Sequence, residues 1–226
     1  MKSTTRKGCH DVFNAFMVKD AFMGNNYDIP NCAATADVLP CQLVGYDLIK
    51  SSKDYDSFVH FYLDDQKFDG PRGIWHKPYE ALERLKKFKG VITPDFSTYQ
   101  DMPEALKIYN TYRMRAFGHW LGMNGVRVIN NVRWGTPESY KYCFEGIPKN
   151  SVVAIGTIGC IREKKNWDRF SNGLDEMYKR LSPKTIIVYG SAPEKLFGRF
   201  KELGVEIIVI PSKTSLAFRK RNEQAK

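Results

Sequence analysis

Six apolar runs of strand length, each ending on a short polar or glycine-bearing tip, limit what this chain can fold into: FVHFYLDD from Phe58, GVITPDFSTY from Gly90, VRVINNVRWG from Val126, SVVAIGTIGC from Ser151, TIIVYGSAP from Thr185 and VEIIVIPS from Val205. Segments of helical period lie between them, so the chain alternates strand and helix. CQLVGYDLI from Cys41 supplies an earlier strand. The alternation predicts an α/β fold, a single domain with a mainly parallel sheet flanked by helices. A doubly wound sheet is the favoured arrangement and an incomplete β/α barrel its rival, because alternation alone does not distinguish an open sheet from a closed one.

The helices are read from period and punctuation. In PYEALERLKKFKG, Leu82, Leu85 and Phe88 share a face and Gly90 marks a stop. Asp101, Pro103 and Glu104 read as a capping box with proline in the first turn, opening a helix that runs to Met123. That helix places Tyr109, Arg113, Ala116 or Phe117, and Trp120 on one face. NWDRFSNGLDEMYKRL turns Phe170, Leu174, Met177 and Leu181 inward, and APEKLFGRFKELG forms a further helix between Pro193 and Gly204. Residues 1–40 show no sustained period and are expected to form an irregular N-terminal arm. Residues 41–212 then make the α/β domain, and 213–226 a basic C-terminal tail.

A chain of 226 residues, 42% of them hydrophobic, can bury one substantial core. No apolar stretch reaches the roughly 18 residues of a membrane span, and MKSTTRKGCHDVF lacks the apolar centre of a secretory signal. A cytoplasmic protein without a membrane partner is expected. Cys9, Cys32, Cys41, Cys143 and Cys160 are irregularly spaced, which argues for reduced thiols rather than a disulfide framework. The net charge of +10 attracts phosphate backbones or acidic proteins. Its local clusters are Arg84, Lys86, Lys87 and Lys89; then Arg162, Lys164 and Lys165; and the tail residues Arg219, Lys220 and Arg221. Each reads as a solvated face or as a polyanion contact.

In parallel sheets, ligands gather where strands end, so Asp64, Asp65, Asp95, Ser97, Asn130, Asn131, Arg133, Trp134, Thr157 and Ser191 are the first site candidates. Asp64, Asp65 and Asp95 are candidate catalytic carboxylates, and Asp64 with Asp95 a candidate pair for Mg²⁺ or Mn²⁺, which take oxygen ligands. Adjacent residues of a strand point to opposite faces, so only one of Asp64 and Asp65 should join Asp95. Ser97, Arg113, Arg115, Asn131, Arg133 and Trp134 are candidate ligand-binding residues. The guanidinium forks suit phosphate or carboxylate oxygens, and Trp134 suits stacking. The structural alternative pairs Arg113 with Asp95 or Asp65 and leaves Trp134 in the core.

Other signals are thinner. GTIGC and YGSAP match neither a Walker loop nor a dinucleotide fingerprint, so no ATP or NAD site is predicted. Cys160 reads as a packed thiol. Cys9, His10, Cys32 and Cys41 lack the close cysteine pair of a zinc knuckle. His60 falls inside a strand, and no spacing ties His76 or His119 to a carboxylate. Tyr99, just past PDFS, is a conceivable nucleophile, but the histidine pair that accompanies such a tyrosine in replication initiators is missing.

VHFYLDD, the W-x-x-P of Trp75 to Pro78, VITPDFSTYQDMP, the YRMR helix, VINNVRWG and VVAIGTIG together resemble the bacterial and phage family labelled domain of unknown function 4417. The similar segments run over residues 41–210. The resemblance implies a bacterial host cell and an association with mobile DNA, and brings no activity or catalytic set with it. Three functions are compatible. The leading one is a nucleic-acid-associated protein of a phage or mobile element with metal-dependent phosphodiester processing at the strand tips. The others are a pocket enzyme or binder for a small phosphorylated or nucleotide-like ligand, and a non-enzymatic protein that neutralises a host factor through its basic surface.

Overall fold

The computed structural model describes residues 11, 13–33, 38–212 and 215–216. Cys9, His10, Arg219, Lys220 and Arg221 lie outside them. The chain divides into two compact units, Met1–Pro148 and Lys149–Lys226.

In the first unit the strands are β1 (Leu43–Gly45), β2 (Phe58–His60), β3 (Gly90–Ile92) and β4 (Val128–Asn131), in the order β1-β2-β3-β4. Each pair is parallel, with Leu43 opposite Phe58, Val59 opposite Val91 and Ile92 opposite Ile129. Every residue of β2, β3 and β4 is buried, as expected of strands covered on both faces. The helices are α1 (Pro78–Leu85) and α2 (Glu104–Met123), the latter packed on β4. Residues 46–57 carry the chain from β1 to β2 with only a 3-10 turn at Tyr46–Leu48, too polar for a crossover helix.

The second unit repeats the scheme with β5 (Val152–Gly156), α3 (Lys164–Leu181), β6 (Thr185–Tyr189), α4 (Glu194–Glu202) and β7 (Glu206–Ile210). β5, β6 and β7 pair in parallel, and α4 packs on β7. Phe170, Leu174, Met177 and Leu181 all face inward, as their spacing predicts.

The α/β class and the parallel pairing are therefore as expected, and the winding is not. A doubly wound sheet reverses its strand order about a central strand, whereas each unit here runs sequentially, the order of the β/α-barrel rival. A second correction concerns α2. It starts at Glu104, but no side chain caps it. Pro103 itself holds the cap position, and Glu104 bridges to Lys107 at 3.0 Å instead of reaching back.

Much of residues 13–33 is irregular backbone, yet it is packed. The 3-10 turn Ala15–Val18 lies on α2, with Met17, Val18, Ile29 and Cys32 buried. The Asn14 amide donates to the Trp75 carbonyl at 2.7 Å, and the Cys32 N–H donates to the Gly146 carbonyl at 2.8 Å. Phe68, Trp75 and Pro78 plug the loop after β2 into the same core.

Candidate functional site

The C-terminal ends of β2, β3 and β4 gather most of the first unit's polar candidates. Parallel pairing puts these three ends side by side, so residues 30 to 70 apart in sequence meet there.

Asp95 follows β3 by three residues and occupies the centre. Its Oδ1 accepts the Asn131 amide at 2.7 Å, and its Oδ2 takes Nη1 of Arg133 at 2.5 Å. Asn131, the last residue of β4, is tied in on every side. Its N–H donates to Thr93 Oγ1 at 2.8 Å, and its Oδ1 accepts the Tyr62 hydroxyl at 3.1 Å. Arg133 keeps about a quarter of its side chain in solvent, 28%, with its guanidinium carbon 6.0 Å from the centre of the exposed Tyr99 ring.

Asp65 stands beside this pair. Its two oxygens accept the Ser97 N–H at 3.2 Å and the Ser97 hydroxyl at 2.9 Å, which ties the β2 tip to the β3 loop. Burial pushes its carboxyl above the ordinary value; the Ser97 bonds and Arg133 pull the other way, and the Asp95 charge adds to the rise. Asp64, its neighbour, is exposed. Of the adjacent aspartates, it is thus Asp65 that the structure brings to Asp95.

The remaining arginines do not form a clamp with Arg133. Arg113 Nη1 pairs with Asp69, at 2.9 Å from Oδ2 and 3.0 Å from Oδ1, while Nε and Nη2 donate to Asn110 Oδ1. Its guanidinium carbon lies 3.9 Å from the Phe96 ring centre. The Asn110 amide goes on to the Ser97 carbonyl, so Arg113 holds the loop that holds Asp65. Arg115 is fully buried and donates to three main-chain carbonyls, those of Asn131 (3.0 Å), Cys143 (3.0 Å) and Glu145 (3.1 Å). Burial lowers its guanidinium to about 10, so it remains charged at neutral pH. It locks the end of β4 rather than meeting a ligand.

Other candidates are placed as follows. Trp134 is half-buried with its ring 6.3 Å from that of Phe144. Asn130 is buried and donates to the Cys32 carbonyl at 3.0 Å. In the second unit the Thr157 hydroxyl donates to the Ser191 carbonyl at 2.9 Å and accepts its N–H at 3.0 Å. Gly190, at φ 124°, has no room for a side chain against that hydroxyl. His60 is buried, and its Nδ1 accepts the Tyr62 N–H at 3.2 Å. Burial pushes the Cys32 thiol up to about 12.

The composition of the tips decides what they can bind. Asp47, Asp64, Asp65, Asp69 and Asp95 stand there beside Lys67, Arg113, Arg115 and Arg133, so the two signs nearly balance. Among the described residues, no three His, Cys, Asp or Glu side chains gather to hold a metal ion. Arg133 occupies the oxygen of Asp95 that a cation would take, and Asp64 lies outside the cluster. The set as arranged does not fit a resident Mg²⁺ or Mn²⁺ on Asp64 and Asp95.

Tyr62, Asp69 and Asn110 were not legible as site residues. Asp69 sits in a Gly- and Pro-rich loop with no period, and Asn110 carries a signal only in hindsight, as a polar residue one turn before Arg113.

Fold and site define a parallel α/β protein with a carboxylate, amide and guanidinium cluster at the C-terminal strand edge. The chain belongs to the family described as "Domain of unknown function (DUF4417)", which matches residues 21–209. It is 34% identical over 191 residues to the Gene 1 protein of Mycobacterium phage L5, covering 83% of this chain and 80% of that protein. To the Gene 1 protein of Mycobacterium phage D29 it is 32% identical over 191 residues, covering 83% of this chain and 68% of that protein. No solved structure matches it significantly. No described helix is long and apolar enough to cross a membrane.

Proposed function

We propose that this phage-related chain is a nucleic-acid-associated protein whose ligand site is the Asp65, Asp95, Asn131 and Arg133 cluster, taking a phosphate-bearing nucleotide unit. The observation that carries the reading is the half-open Asp95–Arg133 pair above the exposed Tyr99 ring. A partly exposed guanidinium can donate to a phosphate oxygen, and an exposed aromatic face beside it can stack a base. Asn131 fixes Asp95, Ser97 fixes Asp65, and Arg115 fixes the β4 end that carries Asn131 and Arg133.

Phosphodiester chemistry at this site uses the two carboxyls unequally. Asp95 is paired with the Arg133 guanidinium; Asp65, whose carboxyl burial raises, is the group poised to hold or release a proton. The test is twofold. Nucleoside phosphates are expected to raise the melting temperature of wild type and not of Arg133→Ala, and equal stabilisation of both would refute the site. Turnover of a labelled oligonucleotide, assayed with EDTA, Mg²⁺ or Mn²⁺, should disappear in Asp65→Asn. Turnover that survives there removes Asp65 from the chemistry.

Capture of a host protein is the second reading, favoured by the exposure of Arg162, Lys164 and Lys165 around the start of α3. Replacing these three by glutamate would abolish it and leave nucleotide binding at the tips unchanged.

A further inference from the structure

The strand tips carry nearly balanced charge, so the net charge of +10 is concentrated elsewhere. At the other end of the first unit's strands, the basic residues converge from separate elements. Lys86 and Lys87 are exposed in the turn after α1. Lys89, half-buried just before β3, donates its N–H to the carbonyls of Tyr55 (2.8 Å) and Ser57 (3.2 Å) ahead of β2. Arg127, exposed just before β4, reaches the Lys89 carbonyl through Nη1 at 3.4 Å. Beside them stands Tyr55, 49% exposed, its ring set edgewise against Phe88 with centroids 5.4 Å apart.

Two cations after a helix C-terminus would ordinarily be explained by the helix dipole. That account does not reach Lys89 and Arg127, which belong to other elements and are drawn in by backbone pairing of the strands. Nor does local neutralisation suffice. Asp54, Asp56 and Glu83 are the exposed carboxylates of these segments, three against the four cations Lys86, Lys87, Lys89 and Arg127, and Asp54 is further engaged by Gln42 and Ser57, each at 2.6 Å.

We infer that the edge formed by Tyr55, Lys86, Lys87, Lys89 and Arg127 is a second nucleic-acid contact, one that grips the phosphate backbone of a single strand and stacks a base on Tyr55. Its chemistry is that of sequence-independent single-strand binding, a row of cations next to an exposed aromatic face. It rests on the nucleic-acid reading given above but not on the strand-tip site. It lies at the opposite end of the strands from Arg133, so variants separate the two contacts.

The experiment measures affinity of the full chain for a fluorescent oligothymidylate and for a duplex across a salt series. Comparison is between wild type, Lys86→Gln with Lys87→Gln, Tyr55→Ala, Arg133→Ala, and Lys164→Gln with Lys165→Gln. Removing the Lys86 and Lys87 charges should lower the slope of log affinity against log salt by about 1.5. Tyr55→Ala should weaken single-strand binding about tenfold and duplex binding much less. The α3 pair should leave the slope near wild type, and Arg133→Ala, which removes a single phosphate contact at the strand tips, should lower it by no more than about 0.7. Equal losses for the two lysine pairs would mean diffuse attraction and overturn the assignment, as would an unchanged slope in the first pair. Failure of wild type to bind any oligonucleotide at low salt would defeat the nucleic-acid reading as a whole.

Discussion

Replacing Arg115 by methionine isolates what a fully buried guanidinium does at the end of β4. Methionine fills most of the volume, so little of the effect comes from a cavity. What is lost is a donor to each of three carbonyls, those of Asn131, Cys143 and Glu145. A buried acceptor left without its donor costs about 1–3 kcal/mol, so three of them set a ceiling of about 9 kcal/mol. Removing a charge from the interior returns part of that, because the guanidinium no longer has to be desolvated, and about 3–5 kcal/mol of destabilisation remains. Arg113→Met is the control. It strands Asp69 and Asn110 instead, and Asp69 keeps 20% of its side chain in water, so about 1–2 kcal/mol is expected. Urea unfolding followed by tryptophan fluorescence reads the first unit through Trp75, Trp120 and Trp134. A loss below about 1 kcal/mol for Arg115→Met, or one no larger than that of Arg113→Met, would refute the reasoning.

Gly146 sits at φ 73°, where a Cβ would collide with the Pro30 carbonyl, so Gly146→Ala should destabilise the first unit by about 2 kcal/mol or more; an unchanged urea midpoint would contradict this. Cys32 and Cys143 are buried and Cys41 is exposed, so iodoacetamide at pH 8 should label Cys41 in the native protein and reach the other two only after denaturation, as mapped by peptide mass spectrometry. Asp65 titrates above its unfolded value, so its neutral form is the one favoured by the fold. The stability that wild type gains over Asp65→Asn should be greatest below the ordinary carboxylate range and shrink as pH rises through the raised value. Urea midpoints of the two proteins from pH 3.5 to pH 7 test that sign, and an advantage that grows with pH would reverse the assignment of burial as the dominant influence.

The strands were legible because a buried parallel strand leaves a short, dense apolar run, and each of the seven falls within the run that announced it. Winding was not legible: strand order depends on how each crossover returns to the sheet, and the crossovers here carry no residue that selects one direction. The start of α2 shows the same limit on a smaller scale. Asp101 and Glu104 have the spacing of a capping box, but Pro103 stands at ψ 139°, outside the helical region, so the helix begins only at Glu104 and the pair does not span its first turn. Glu104 then finds a cation one turn on, Lys107, whose spacing in the sequence was equally plain.

The site divides along a similar line. Asp65, Asp95, Asn131 and Arg133 were legible because the parallel fold forces strand tips together, whatever each tip contains. Which arginine would face outward was not legible, since Arg113, Arg115 and Arg133 carry the same charge and occupy equally plausible positions. Partners that sequence alone could not bring near decided it. Asp69 lies in a loop that folds back onto α2 and takes Arg113, and the carbonyls that take Arg115 belong to backbone, which no composition reveals. Arg133 keeps part of its side chain in solvent, while its carboxylate, Asp95, is also held on its other oxygen by Asn131. A pair restrained in this way can open toward a ligand without either charge being abandoned: Asn131 continues to hold Asp95 while Arg133 swings to a phosphate oxygen. Asn131→Leu should therefore weaken nucleotide stabilisation nearly as much as Arg133→Ala, although leucine removes no charge from the site. Undiminished binding in Asn131→Leu, with the fold intact, would leave the Asp95–Arg133 pair a structural strut.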